Sequence, residues 1–162
     1  MPFGLLLTTS GVILDDIMVN ELTAVVGELG GELGVGRTVH SEEDMSAAIR
    51  EGFPHAAVEG LLESSGFSLR EIATSLDLSI RSLQRRKTQG RLARYESDRL
   101  YRLARLVALA EYFLGDHQRA IDWLKRPNPV LGGVPPLSIV DTELGARQVE
   151  NILGRVGYGG VS

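Results

Sequence analysis

Six residues within nine positions carry the chemistry most open to view: Ser79, Arg81, Ser82, Gln84, Arg85 and Lys87. Short polar and cationic side chains on one exposed helix face can hydrogen-bond base edges in a major groove and neutralise backbone phosphates. For them to share that face, Ile80 and Leu83 must point inward, and their spacing allows it. A second helix has to stand just upstream. Ser68 and Glu71 have capping-box spacing, so a helix is predicted to start at Leu69. Ile72 and Leu76 then lie one turn apart, and Ala73 is small where the next helix must cross closely. Asp77, Leu78 and Ser79 form the break, with Ser79 as a fresh N-cap. The pattern is a helix-turn-helix. Asp77 stands where the motif usually carries glycine, and aspartate tolerates the left-handed conformation better than most residues.

Other chemistries find less support. With no cysteine, the chain can build no disulfide, thiolate zinc site or cysteine nucleophile. His40, His55 and His117 are scattered and predict no metal site. Gly31, Gly34 and Gly36 come in the wrong order for a dinucleotide fingerprint, and no Gly-Lys-Ser/Thr follows, so they read as a turn. Asp141 and Glu143 are explained by helix capping rather than by acid–base catalysis. There is no Gly-x-Ser-x-Gly elbow and no His-Glu-x-x-His pair. No catalytic residue, metal ligand or cofactor is assigned, and a non-enzymatic protein is expected.

At 162 residues the chain is one domain or two small ones, long enough for a real core. Its net charge of −4 argues mildly against a general nucleic-acid binder, but the charges are unevenly placed. From Arg81 to Arg105 the cations dominate, opposed only by Glu96 and Asp98. A basic middle between acidic ends suggests two different partner surfaces. The apolar run from Phe3 to Leu7 is too short to span a membrane and lacks a basic flank. A cytoplasmic protein without membrane contact is expected.

The elements that position the helix-turn-helix are also predicted to be helical. Residues 1 to about 14 show no clear period. Asp15 to Leu29 reads as a helix ended by Gly30 and Gly31, and Arg37 to His40 as a short extended piece. Ser41 and Asp44 open a helix with Met45, Ala48 and Ile49 inside, stopped by Gly52. Pro54 suits the first turn of the next, which buries Ala57, Val58, Leu61 and Leu62 and ends at Gly66. After Gly90 a long helix runs from Ser97 to Leu114. One of its stripes holds Leu100, Leu103, Val107 and Leu114, another Leu106, Leu109 and Phe113. Such a helix is either the core of a monomer or a dimer seam. Arg99, Arg102 and Arg105 line a third face. Asp116 caps a helix through Lys125, and Pro127 ends it. From Arg126 to Leu137, prolines mixed with Val130, Leu131, Val134 and Leu137 read as a rigid, docked loop. Asp141 or Thr142 caps a last helix with Gly145, Val149, Ile152, Leu153 and Val156 on its buried face, stopped by Gly157. The tail from Tyr158 has no reason to fold alone. The expected architecture is all-α: a partly helical N-terminal extension over 1–40, a helix-turn-helix domain over 41–95 and a small helical C-terminal module over 96–162.

The C-terminal half carries more specific marks. They are Ser97-Asp98-Arg99-Leu100, the run Trp123-Leu124-Lys125-Arg126-Pro127-Asn128-Pro129, Leu131-Gly132-Gly133, Pro136-Leu137, and Asp141-Thr142-Glu143 followed by Gly145. Together with the upstream helix-turn-helix, this resembles the Xre/MbcA/ParS-type antitoxin family over roughly residues 40 to 162. The resemblance implies a homodimeric antitoxin, encoded beside a RES-domain toxin that uses NAD, and often repressing its own operon. It also implies that the C-terminal region covers the toxin's NAD site. Expected toxin-binding residues are Asn128, Leu131, Arg155, Tyr158, Gly159, Gly160, Val161 and Ser162, with the tail entering a cleft. The competing expectation is a plain helix-turn-helix repressor whose C-terminal module only dimerises.

Overall fold

The computed structural model describes residues 11–159, with side chains described from Asn20 to Gly159 apart from Tyr158. Among these residues the chain is all-helical, with no β-strand and only two isolated bridges, Pro54 to Arg91 and Asn128 to Val134. The order is α1 (Gly11–Glu28), α2 (Gly31–Val35), α3 (Glu42–Glu51), α4 (Ala56–Ser65), α5 (Leu69–Ser75), α6 (Ile80–Gln89), α7 (Arg94–Leu114), α8 (His117–Lys125), two 3₁₀ turns (Pro129–Leu131 and Pro136–Ile139) and α9 (Glu143–Gly159). No helix among the described residues is long and apolar enough to cross a membrane.

Local capping chemistry sets most boundaries. The Ser41 hydroxyl accepts from the Asp44 N–H at the start of α3, and the Asp116 carboxylate from Arg119 N–H at the start of α8. Thr142, rather than Asp141, caps α9 by accepting from the Gly145 N–H. Some boundaries differ from those the sequence suggests. Helix α1 begins at Gly11, and α7 at Arg94 rather than Ser97. Residues 37–40 form no strand. Pro54 precedes α4 by two positions and bridges to Arg91 instead of entering the first turn.

Helix α7 is the axis of the fold, with α1, α3, α8 and α9 packed around it and α4 and α5 touching it. Leu100, Leu103, Leu106, Val107 and Ala110 are fully buried, and Leu109 and Phe113 pack against the same core. The larger part of both apolar stripes is therefore covered within one chain, with Leu109, Phe113 and Leu114 partly exposed, and α7 is a core helix. Against it α9 buries Ala146, Val149, Ile152 and Leu153.

Two glycines thought to end or turn the chain instead permit close crossings. A Cβ on Gly34 would sit 1.5 Å from the Leu29 carbonyl oxygen, so the glycine pattern at 31–36 is a tightly packed turn and short helix. Gly157 does not stop α9, which continues to Gly159. A Cβ there would lie 2.1 Å from the Phe113 ring, so the glycine lets α9 press on α7.

Candidate nucleic-acid and partner interfaces

The helix-turn-helix forms as its spacing predicts. The Ser68 hydroxyl accepts from the Glu71 N–H at 3.1 Å, and the Glu71 carboxylate accepts from Ser68 N–H at 2.7 Å. Asp77 has φ 53°, in the left-handed region, and Leu78 N–H reaches back to the Ala73 carbonyl at 2.9 Å. Ile72, Ala73, Leu76 and Leu83 close the small core between α5 and α6. Arg99 clasps the turn from α7. It donates to the Leu76 carbonyl at 2.7 Å, lies 3.8 Å from the Asp77 carboxylate and stands over the Tyr95 ring.

On α6 the sequence-assigned residues divide into three kinds. Arg81, Gln84 and Arg85 are exposed, and among the described residues neither arginine is paired. Lys87 is exposed but lies 3.7 Å from Glu59, a surface pair of small energy. Ser79 and Ser82 are committed locally: the Ser79 hydroxyl accepts from Ser82 N–H at 3.0 Å and donates to the Ser82 hydroxyl at 2.9 Å. They shape the helix entrance, while the two arginines face solvent.

Arg86 turns the other way and makes a contact that sequence reading missed. Its guanidinium donates from Nε and Nη2 to the fully buried Glu96 carboxylate of α7 at 2.8 to 3.0 Å. Ala93 N–H adds a third donor at 2.8 Å. Burial alone would push the Glu96 carboxyl up. The Arg86 guanidinium and the Ala93 N–H outweigh it and hold the group below the usual carboxylate value. The pair thus locks the back of the exposed helix to the axis of the fold. An arginine out of phase with the exposed ones, and a lone glutamate at the start of the next helix, were the signals available in the sequence.

Three of the four arginines of α7 are consumed in the same way; Arg94, at its first position, stays exposed. Arg102 pairs with Asp98 at 3.0 Å and Glu143 at 3.2 Å, and Arg105 with Glu21 and Glu150. Burial pushes the Glu150 carboxyl up against the pull of Arg105. The basic block is therefore not one partner surface. Arg99, Arg102 and Arg105 of its α7 half are rivets holding α1, α9 and the turn.

The proline-rich loop is built on Asn128. Its side-chain oxygen accepts from Val130 N–H at 2.9 Å, its N–H donates to the Val134 carbonyl at 3.0 Å, and its carbonyl accepts from Leu131 and Gly133. Asn128 and Leu131 are half-buried, Leu131 against the core, so both shape the loop from within. The docked loop turns part of its apolar content outward: Leu137 is 7% exposed, Val130 69% and Val134 39%. Leu144, in the first turn of α9, is 72% exposed, and Arg155 is exposed near its other end. Tyr158 and Gly159 lie in the last turn of α9 rather than in a loose tail. The Tyr158 side chain and Gly160, Val161 and Ser162 lie outside the described residues.

Fold and surfaces together define a helix-turn-helix regulator with a helical partner-binding module fused to its core. Residues 44–105 match the model of the Antitoxin Xre-like helix-turn-helix domain, and residues 108–159 that of the Antitoxin Xre/MbcA/ParS C-terminal toxin-binding domain. The chain is 37% identical to Antitoxin Xre of Photorhabdus laumondii over 130 residues, 79% of this chain and 88% of that protein. It is 33% identical to Antitoxin Xre of Yersinia enterocolitica over 114 residues, 69% of this chain and 77% of that protein. A Pseudomonas putida Antitoxin Xre matches at 39% over 66 residues, 40% of this chain and 42% of that protein. The chain belongs to the Xre antitoxin family of toxin–antitoxin systems. These names describe a regulator rather than a catalyst.

The geometry yields an expectation for α6. Replacing Arg81 and Arg85 together with Ala should weaken DNA binding and lower the magnitude of its salt slope by about two, one per lost phosphate contact. Titrations of labelled operator at several salt concentrations check it. An unchanged affinity and slope would remove α6 from the interface.

Proposed function

We propose that this chain is the antitoxin partner of a RES-domain toxin. Its C-terminal module covers the toxin's NAD site, and α6 binds operator DNA to repress the shared operon. The protein works in the cytoplasm, as a homodimer. The RES-domain partner, the NAD site and the dimer are inferred from the family resemblance. Leu100, Leu103, Leu106 and Val107 of α7 are taken up by the core of its own chain, and its Leu109, Phe113 and Leu114 stay partly exposed.

The observation that carries the reading is the apolar surface of the C-terminal module. Val130 and Leu144 are each more than two-thirds exposed, on a loop pinned by Asn128 and a helix anchored by Val149 and Leu153. Side chains of this kind on rigid supports suit an interface core, because little entropy is lost on ordering them. Arg155 stands further along α9, where its planar fork can meet the carbonyl or acidic groups lining a cofactor cleft. The plug is then the end of a helix rather than a flexible strand, which lowers the cost of entry.

Changing Val130 and Leu144 together to Glu should leave the fold intact, since neither is buried. Toxin affinity should fall by about 30-fold or more, the loss expected from one interface hot spot. Co-expression and pull-down with the toxin check this. Undiminished recovery would exclude these residues from the interface, and dissociation of the free antitoxin into monomers instead would favour a repressor whose module only dimerises.

A further inference from the structure

We propose a divalent-cation site, of a kind suited to zinc, formed by Glu28, Glu111 and His117. The three come from separate segments: the last residue of α1, the last turn of α7 and the first residue of α8. One donor atom from each lies within 4.8 Å of the other two, the only such group of three among the described residues. Donors bonded at about 2.1 Å to one tetrahedral zinc ion lie roughly 3.4 Å apart, so rotations of these side chains have to draw the three atoms together around the ion.

The surroundings favour a cation. Glu28 is 9% exposed, and among the described residues no arginine or lysine pairs with it. Its partner is the Ser64 hydroxyl, which donates to one carboxylate oxygen at 2.6 Å and lies 3.1 Å from the Glu28 backbone carbonyl. A hydrogen bond of that kind orients a ligating carboxylate from behind without neutralising it. His117 directs Nδ1 at the Glu111 carboxylate, leaving Nε2 for a neighbouring group or water. Two carboxylates and a neutral imidazole carry a charge of −2, which a divalent ion cancels. The mixed nitrogen and oxygen donor set suits zinc better than calcium or magnesium, and water would fill the fourth position. A bound ion would pin the end of α1 to the α7–α8 corner and tie the N-terminal helix to the C-terminal module.

The test uses the full chain, freed of metal with a chelator. Titration with zinc should show one ion per chain at micromolar affinity, with a rise in Tm of several degrees. Cobalt in place of zinc should give the visible absorption of a tetrahedral nitrogen and oxygen site. In His117→Ala, whose side chain is 43% exposed and whose circular dichroism should match that of the wild type, both signals should vanish. Glu28→Gln should weaken binding at least tenfold. Absence of binding in the wild type would overturn the proposal, and so would undiminished binding in His117→Ala, which would mark an adventitious ion only.

Discussion

Replacing Glu96 with Ala should destabilise the protein by about 3 kcal/mol, the lower end of the range for breaking a buried ion pair. For a chain of this size that is a fall in Tm of about 6–12 °C. The carboxylate is fully buried and accepts three donor groups, the Arg86 Nε and Nη2 and the Ala93 N–H. Its loss strands Arg86, whose side chain keeps 21% exposure and so some outlet to water, which argues for the lower end. Glu96→Gln keeps an acceptor for Ala93 N–H and should lose about 1–2 kcal/mol. The pH dependence follows the same pair. The folded state holds the Glu96 carboxyl below its unfolded value, so the stabilisation is fully present above that value, about 4.3, and is lost as pH falls through the lower, folded one. Because the pair fastens α6 to α7, Glu96→Ala should weaken DNA binding too, although Glu96 faces no DNA. Thermal melts of both variants at neutral and acid pH check this. A Tm for Glu96→Ala within a degree or two of the wild type would mean that the pair does not hold α6.

What the sequence made legible was mostly local. The Ser68–Glu71 capping box, the Ser79 cap and the left-handed Asp77 turn are each decided within a few residues, and they appear as the spacing predicts. What it hid depends on distant partners. Arg99, Arg102 and Arg105 look like a basic face because the groups that neutralise them, Glu21, Asp77, Glu143 and Glu150, lie elsewhere in the chain. Gly157 follows the local rule for a helix stop, yet contact with Phe113 decides its role. Asn128 looks like an exposed polar contact in a proline-rich loop, and only the closing of that loop by Val134 turns it inward. Val130 and Leu144 could not be separated from core residues by type, because exposure follows from the packing of the proline-rich loop and α9.

The second large effect concerns neutralisation. Truncation before α9 removes Ala146, Val149 and Leu153 and uncovers α7, so it should abolish the toxin complex simply by unfolding the module. Removing Tyr158 to Ser162 is the sharper change. It leaves Gly157 against Phe113 and the buried Ala146, Val149, Ile152 and Leu153 in place, so the antitoxin should fold and still bind. If the end of α9 fills the cofactor cleft, that complex should nevertheless regain NAD turnover. Adding Arg155→Ala should raise the turnover further, because its guanidinium would no longer hold the helix end in the cleft. The measurement is NAD consumption by toxin complexes recovered from co-expression, with complex recovery read in parallel. The account predicts no turnover with the intact chain, full recovery with clear turnover after removal of residues 158–162, and more with Arg155→Ala added. Complete inhibition by a complex lacking both residues 158–162 and the Arg155 side chain would contradict it and place the inhibitory contact on the proline-rich loop or the start of α9.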